Sequence, residues 1–483
     1  MSGLRRFVIR LGKVVAVAVA LLVVAHTVAT IVTGRPLARE LQRLKAAGEP
    51  LTLAEAAPKP VPDDENAAVL YQQAFDKMRA SLSDNDERVL GDFLGAQSKP
   101  RGRSYPPAVY QGGPARPPTP AQVKAILKHN AEVIALVEAA AQRPKCVFPM
   151  RWDLGDTAYA DMAFPQLSQM KRLTRLLMVK AGLLATEGKA DEALAVCRTM
   201  LRMSEHLAYE PTLLGQLTRI ALQAITRSTV EAVLQTSSPS AAACRTTFDA
   251  ISKVDDRVGL ALALKGERAL GLGAFRDPQL WYAKAMMAPG ARIPWKVALL
   301  LRLYGSYLGR PFLNADEARY LRFMSDVIAQ TKQPYPAQAR RCFLETGRVA
   351  GGGTRSSGAY GLSIWYPVSS MVIPVFDRVP AAAVRMNAGL GLAQVGVAAA
   401  GYKAETGAYP ESLAQLQRAG WPLRDDPYSG KPFVYHRKGH RFIAYSIGPD
   451  LEDNGGVPEA LVPPKRPSEL FVFKGDIIWR VSR

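Results

Sequence analysis

The sequence predicts a mainly α-helical protein with an N-terminal transmembrane helix, an irregular domain of helical hairpins and a small C-terminal α+β module with an antiparallel sheet. Three features predict this class: an uncharged apolar run near the start, helical spacing of apolar residues through most of the chain, and strand-like runs only near its end. With 483 residues, of which 48% are hydrophobic and 22% charged, the chain can bury the cores of two or three domains.

The first segment has the length and composition of a membrane anchor. Residues 14–33 read VVAVAVALLVVAHTVATIVT and carry no charge, and about 20 such residues cross a bilayer as a helix. The basic N-terminus, residues 1–13, precedes this run. The positive-inside rule then predicts a bacterial inner-membrane protein whose N-terminus lies in the cytoplasm. The bulk of the protein would be extracytoplasmic. Basic residues on the other side weaken this orientation: Arg35, Arg39, Arg43 and Lys45.

A cleaved signal peptide is the alternative, since small residues around Val24 and Ala25 could suit a peptidase. The apolar run continues past that point, which favours an uncleaved anchor that contacts membrane lipid through residues 14–33. His26 lies inside the run. It is either a proton or partner site within the membrane or an uncharged side chain without such a role.

The rest of the chain divides by composition into four parts. Residues 34–120 predict a spacer with one helix and a linker rich in Pro, Gly and Arg, and residues 121–347 predict the helical-hairpin domain. Residues 348–380 predict a Gly/Ser linker followed by an apolar strip, and residues 381–483 form the C-terminal module. Within the helical domain, Asn314 is the predicted N-cap of a helix with acidic residues in its first turn.

One stretch of the helical domain, AGLLATEGKADEALAVCRTML, resembles a tetratricopeptide-repeat hairpin. Ala181 and Gly182, Gly188, and Ala193 and Leu194 fall near the small and apolar positions that let two such helices pack closely. No regular repeat period follows, so neighbouring helices are expected to stack on this hairpin as an irregular layer.

The four cysteines, Cys146, Cys197, Cys244 and Cys342, are widely spaced and contain no C-x-x-C motif. Outside the cytoplasm they could form one disulfide or none. Cys197 lies in an apolar helical run and is predicted to be a buried thiol.

The C-terminal module begins with a long Ala-rich helix that ends near Gly407 and continues through a short helix into two strands joined at Lys438 and Gly439. The stretches GYKAETGAYPESLAQL, DPYSGKPFVYH and FIAYSIGPDLEDNGG resemble the globular half of the major pseudopilins of type II secretion. Similar tails are found in large helical membrane proteins of planctomycete-like bacteria. The resemblance covers Arg385 to Asp476 and implies an extracytoplasmic binding module.

In that family the loop after the second strand holds calcium, and the resemblance implies a Ca²⁺ site here. Asp450, Asp453 and Asn454 offer oxygen ligands at short spacing, Glu452 could add another, and Asp476 occupies a place like the family's later acidic ligand. The alternative is a solvated acidic turn in which Asx-type hydrogen bonds replace the ion. Asp425 and Asp426 are expected to cap the preceding bend instead.

No catalytic motif is present in the sequence, which predicts that the protein is not an enzyme. His436 and His440 are four residues apart without a third ligand and are predicted to be exposed histidines of a hairpin. The net charge of +20 favours anionic neighbours, but no nucleic-acid-binding motif accompanies it, so nucleic acid is not an expected partner.

These observations predict a membrane-anchored extracytoplasmic protein that binds other envelope proteins or has a structural role, associated with secretion or envelope machinery. Stacked helical hairpins present extended surfaces that suit protein partners. The alternative is an envelope hydrolase that acts on an anionic polymer and is recruited by its positive charge.

Overall fold

The structure is a computed structural model that describes residues 2–97, 118–152, 164–286, 292–340, 366–372, 379–462 and 472–481. It is mainly helical, with one long apolar N-terminal helix and a small C-terminal antiparallel sheet of three strands, which confirms the predicted fold class. The predicted linkers at 98–117 and 348–361, and Cys342, lie outside the described residues, as does most of the apolar strip before residue 380.

Helix α1 (Ser2–Ala46) is much longer than the apolar run that predicts it. Up to residue 25 its described side chains are exposed on every face, whereas from His26 onward one stripe is covered at helical spacing. Ala29, Thr30, Thr33, Gly34 and Leu41 are partly buried in this stripe, and Leu37 and Leu44 are fully buried. The helix therefore has an apolar run in which no side chain is buried, residues 14–33, and a following part that packs on the body. That run is long and apolar enough to cross a membrane.

The segment expected to be a spacer with one helix contains more structure than the sequence predicted. After α1 come α2 (Leu53–Ala56), α3 (Ala67–Ser81) and α4 (Asp84–Gln97), followed by α5 (Pro120–His129) and α6 (Ala131–Gln142). The expectation of a single helix here is wrong, because the apolar faces of α3 and α4 are buried in the main core. Asn66 caps α3, and its side chain also binds the backbone of Val147.

Helices α7 (Pro165–Thr186) and α8 (Ala190–His206) form the predicted hairpin, and Gly188 turns the chain between them with a φ of +79°. A short 3₁₀ turn (Leu207–Tyr209) leads to α9 (Leu213–Thr236), which packs on both. The layer continues through the helices α10 (Ala241–Ser252), α11 (Asp256–Arg276), α12 (Pro278–Met286), α13 (Trp295–Tyr304), α14 (Arg310–Thr331) and α15 (Pro367–Val372).

Asn314 is not an N-cap. Helix α14 begins four residues earlier, at Arg310, because Pro311 occupies its first turn, where a proline is already shaped for a helix. Asn314 lies inside the helix, and its side-chain amide donates to the carbonyl of Thr30 in α1 at 3.4 Å.

The C-terminal module consists of α16 (Val379–Thr406), α17 (Leu413–Arg418) and the strands β1 (Val434–Lys438), β2 (Arg441–Ser446), β3 (Ala460–Val462), β4 (Val472–Lys474) and β5 (Ile477–Val481). The main sheet has the order β1-β2-β5 and β3 pairs with β4, all antiparallel. Since Lys438 pairs with Arg441, the hairpin turn consists of Gly439 and His440, one residue later than predicted.

Helix α16 lies at the centre of the fold. Residues 387–399 are buried on every face, between α9 and α10 on one side and β2 and β5 on the other. Glycines make this possible, since a Cβ at Gly396 would lie 2.3 Å from the Trp479 ring and one at Gly401 would lie 2.6 Å from the Trp421 ring. One continuous core therefore joins the helical layer to the sheet.

A second, smaller core holds α1 to the body. Leu37 and Leu44 of α1 are buried with side chains of α11 and α14, including Leu321 and Met324. Helix α1 and the helical layer thus form one packed unit in the structure.

Candidate functional site

The acidic loop brings together Asp450 and Asp476, two of the residues predicted as calcium ligands. Both are buried. Asp450 accepts hydrogen bonds from the backbone N–H groups of Glu452 at 3.3 Å and Gly475 at 2.9 Å, and from the side-chain amide of Asn454 at 3.2 Å. Asp476 accepts from the backbone of Asn454 at 3.3 Å and of Gly456 at 2.7 Å.

The other candidate ligands lie at the edge of this loop. Asp453 accepts from the backbone of Gly455 at 2.9 Å and from the Tyr445 hydroxyl at 3.1 Å. The Glu452 side chain is exposed, while its carbonyl oxygen accepts from the Asn454 amide at 2.8 Å. Burial raises the pKa of Asp476, and the nearby Asp453 and Asp450 raise it further against the effect of its backbone hydrogen bonds.

These contacts match the Asx-type turn more closely than a metal site. Each of the three aspartates accepts backbone or side-chain donors, and within the described residues no group of three or more His, Cys, Asp or Glu side chains is arranged to hold a metal ion. The loop is closed by its own hydrogen bonds in this arrangement. Calcium binding stays a prediction, which the melting experiment below tests.

Asp426 has the capping role predicted for it. Its buried carboxylate accepts from the backbone of Tyr428 at 3.1 Å and Ser429 at 3.3 Å, and from the hydroxyl of Ser446 at 2.6 Å. It closes the bend before β1 and ties that bend to the end of β2.

A buried ionic cluster, which the sequence analysis missed, lies between α8, α9 and α11. Arg219 is 1% exposed and forms ion pairs with Glu205 at 2.9 Å and Asp256 at 3.2 Å. Gln223 donates to Asp256 at 2.8 Å and to Glu205 at 3.3 Å. Burial raises the pKa of Glu205, and Arg219 opposes that shift. No spacing pattern in the sequence predicts this cluster, because its residues come from three different helices.

Two other carboxyl groups lie close to the start of α9: the buried Glu210 and the partly buried Glu267. Burial raises the pKa of Glu210 to about 7 and that of Glu267 to about 7. Glu267 accepts from the backbone of Leu213 at 2.8 Å and Glu210 accepts from the Thr212 hydroxyl at 3.4 Å. Each carboxyl group therefore helps to position the first turn of α9, and the hydrolase alternative stays a prediction without an assigned acid and base.

Three histidines and three cysteines lie either at the exposed hairpin or in the packed core. His436 and His440 are exposed at the hairpin, as predicted. His206 is buried, lies 2.9 Å from the Tyr71 hydroxyl and 3.0 Å from the Arg143 carbonyl, and burial lowers its pKa to about 4. Cys146, Cys197 and Cys244 are buried free thiols, which confirms the prediction for Cys197.

A groove of about 490 Å³ lies between α1 and α14, at the level where α1 leaves its apolar run. Two arginines of α14, Arg319 and Arg322, line it, and Arg319 lies over the ring of Tyr366 at 4.7 Å. The remaining lining residues are Val32, Thr33, Pro36, Ala315 and Ala318. The groove is thus basic on one wall and apolar on the other.

Comparison of the chain with protein-family models, with curated proteins and with solved structures finds no match in any of the three. The resemblances to pseudopilins and to tetratricopeptide repeats therefore stay predictions. What can be said of function follows from the anchor helix, the surfaces and the loops described above.

Replacing Arg219 with Met should lower the free energy of unfolding by about 3–5 kcal/mol, because the buried Asp256 and the partly buried Glu205 lose their common cation. The matched control is Arg257→Met, which breaks a half-exposed pair with Asp255 and should cost about 0–1 kcal/mol. Denaturant unfolding followed by circular dichroism measures both, and equal losses in the two variants would contradict the role assigned to the cluster.

If the acidic loop binds Ca²⁺, EDTA should lower the melting temperature of the full-length protein, and the double variant Asp450→Ala, Asp453→Ala should lose that sensitivity. Asp426→Ala is the control, since it weakens the same module through a different loop and should keep the response. The single variant Asp453→Ala serves if the double variant does not fold. A melting temperature unchanged by EDTA and by added Ca²⁺ would establish the hydrogen-bonded turn instead.

Proposed function

We propose that the protein is a single-pass membrane protein of the bacterial inner membrane, with a cytoplasmic N-terminus and a body outside the cytoplasm that has a structural or protein-binding role. The observation that carries this proposal is the difference in burial between the two parts of α1. Its apolar run, residues 14–33, has no buried side chain and is fully exposed up to residue 25, and the part that follows is packed into the body. An exposed apolar helix of this length is stable in lipid and costly in water.

The packing of α1 also bears on the rival view of a cleaved signal peptide. Leu37 and Leu44 contribute to the second core, and Glu49 just after the helix pairs with Arg268 at 2.6 Å and Lys265 at 3.4 Å. Residues that follow the apolar run are thus part of the folded body. This supports a helix that is retained, because it continues without a break from the membrane into the core.

The binding role has support in an exposed apolar surface on the helical layer. Tyr209, Leu214, Leu217, Val258 and Leu262 are exposed and belong to three elements that pack together: the 3₁₀ turn, α9 and α11. We call these five residues the α9–α11 surface. Exposed apolar patches of this kind are typical of protein-binding sites, and an envelope or secretion protein is the partner proposed here.

Reporter fusions test the orientation. A phosphatase that is active only outside the cytoplasm, fused after residue 483, should be active, and a fluorescent protein that matures only in the cytoplasm should be dark. The protein should resist alkaline extraction from membranes, and Leu21→Arg with Leu22→Arg should release it, because charged residues in mid-span are costly. A bright cytoplasmic reporter would overturn the orientation.

Photo-crosslinking in cells tests the binding role. A crosslinking residue at Leu217 should give a defined protein adduct that disappears when Leu214 and Val258 are both changed to Glu. Lys128, exposed on α5, is the control position and should give no such adduct. Equal labelling from the two positions, or an adduct that persists in the Glu variants, would contradict a partner on the α9–α11 surface.

A further inference from the structure

A second exposed apolar surface lies on α13 and the turn that follows it. Trp295 is 71% exposed, Tyr307 70% and Leu308 67%. Leu299 and Leu303 lie one and two helical turns from Trp295 on the same face and are also exposed. We call these five residues the α13 surface. Apolar side chains of this size, grouped together and open to solvent, require a covering partner.

The α13 surface is held in place from its other side. Leu301 and Tyr304 are buried, and the Tyr304 hydroxyl donates to the Asp316 carboxylate of α14 at 2.9 Å. Asp316 in turn accepts from the backbone of Val368 at 3.0 Å at the start of α15. The exposed face is therefore a fixed feature of the fold, because the opposite face is buried and hydrogen-bonded.

The position of the α13 surface relative to α1 indicates that lipid covers this surface. The imidazole of His26 lies 4.5 Å from the Tyr307 ring, centre to centre, and its Nε2 lies 2.9 Å from the Tyr307 carbonyl oxygen. Four residues further along α1, Thr30 receives the hydrogen bond from Asn314. The α13 surface thus lies beside the last two turns of the apolar run of α1, about 10 Å along the helix before Thr33. In a bilayer crossed by residues 14–33, this height is the outer leaflet, just below its headgroups.

The charges around this surface suit a headgroup layer. Between Asp277 and Asp316 the sequence contains no Asp or Glu, and its five basic residues are Lys284, Arg292, Lys296, Arg302 and Arg310. The ammonium group of Lys296 lies 5.7 Å from the centre of the Trp295 ring. A tryptophan and leucines on one face with lysine and arginine beside them are typical of helices that lie in the membrane interface.

We propose that the α13 surface lies at the boundary between headgroups and acyl chains in the outer leaflet of the same bilayer that α1 crosses, so that the body rests on the membrane and binds its anionic lipids. This inference rests on the proposed membrane anchoring by α1. It adds a second contact with lipid, which fixes the tilt of the body on the membrane. Continuity with the apolar run and the absence of acidic residues favour lipid over a protein partner.

Fluorescent labelling of the full-length protein in vesicles tests the inference. In a Cys342→Ser background, whose other three cysteines are buried, an environment-sensitive dye is attached to Leu22→Cys in α1, Leu303→Cys on the α13 surface or Val258→Cys on α11. Val258 is the matched control because it is also exposed and lies about 27 Å along α11 from the end that meets α12. The vesicles contain phosphatidylcholine, phosphatidylglycerol and a spin-labelled quencher lipid.

The expected result is loss of emission by lipid-borne quencher for the dyes at Leu22 and Leu303, with no loss at Val258. A quenched Leu22 dye beside an unquenched Leu303 dye overturns the inference and leaves the anchor intact, whether water or a second protein copy covers α13. Equal quenching at Leu303 and Val258 also overturns it. An unquenched Leu22 dye refutes the anchoring itself. Leu308→Cys replaces Leu303→Cys if that variant does not fold.

Discussion

The packing of the second half of α1 against α14 is the contact on which the proposed arrangement at the membrane depends. A helix that continued as a free tether would leave the body to move at any angle above the bilayer. Here Leu37 and Leu44 are buried in a core shared with α11 and α14, and Arg43 donates to Ser325 at 2.9 Å. Since an α-helix is stiff over this length, the proposed membrane-spanning segment and the body share one rigid element.

At the other end of the protein, one helix is likewise shared between two parts of the fold. Helix α16 serves as the first helix of the C-terminal module and as the central helix of the main core, buried against α9, α10 and the sheet. Arginines reinforce this junction. Arg227 donates to the Ile478 carbonyl at 2.9 Å, Arg424 to the Ile251 carbonyl at 2.9 Å, and Arg245 to the Gly420 carbonyl at 2.7 Å. Removing the module would therefore expose the core of the helical layer.

Several residues have roles that depend on their surroundings more than on their type. Asp316 is one of the acids that predicted a helix start, yet the structure places it inside α14, where it accepts hydrogen bonds from Tyr304 and from the start of α15. Asp450 and Asp476 were expected as calcium ligands, and their oxygens close the loop by accepting backbone donors. In each case a buried carboxylate satisfies N–H or O–H groups that would otherwise lose their hydrogen bonds to water.

The sequence by itself determined the fold class, the long apolar N-terminal helix, the α7–α8 hairpin, the β1–β2 hairpin to within one residue and the cap at Asp426, since these depend on local spacing, turn residues and composition. Tertiary structure alone decided the extent of helix before residue 120, the joint between α1 and α14 and the cluster around Arg219. It also decided which face of α13 stays exposed. The physical reason is that burial and ion pairing join residues far apart in the chain, and no local pattern encodes which distant surface will cover a helix face.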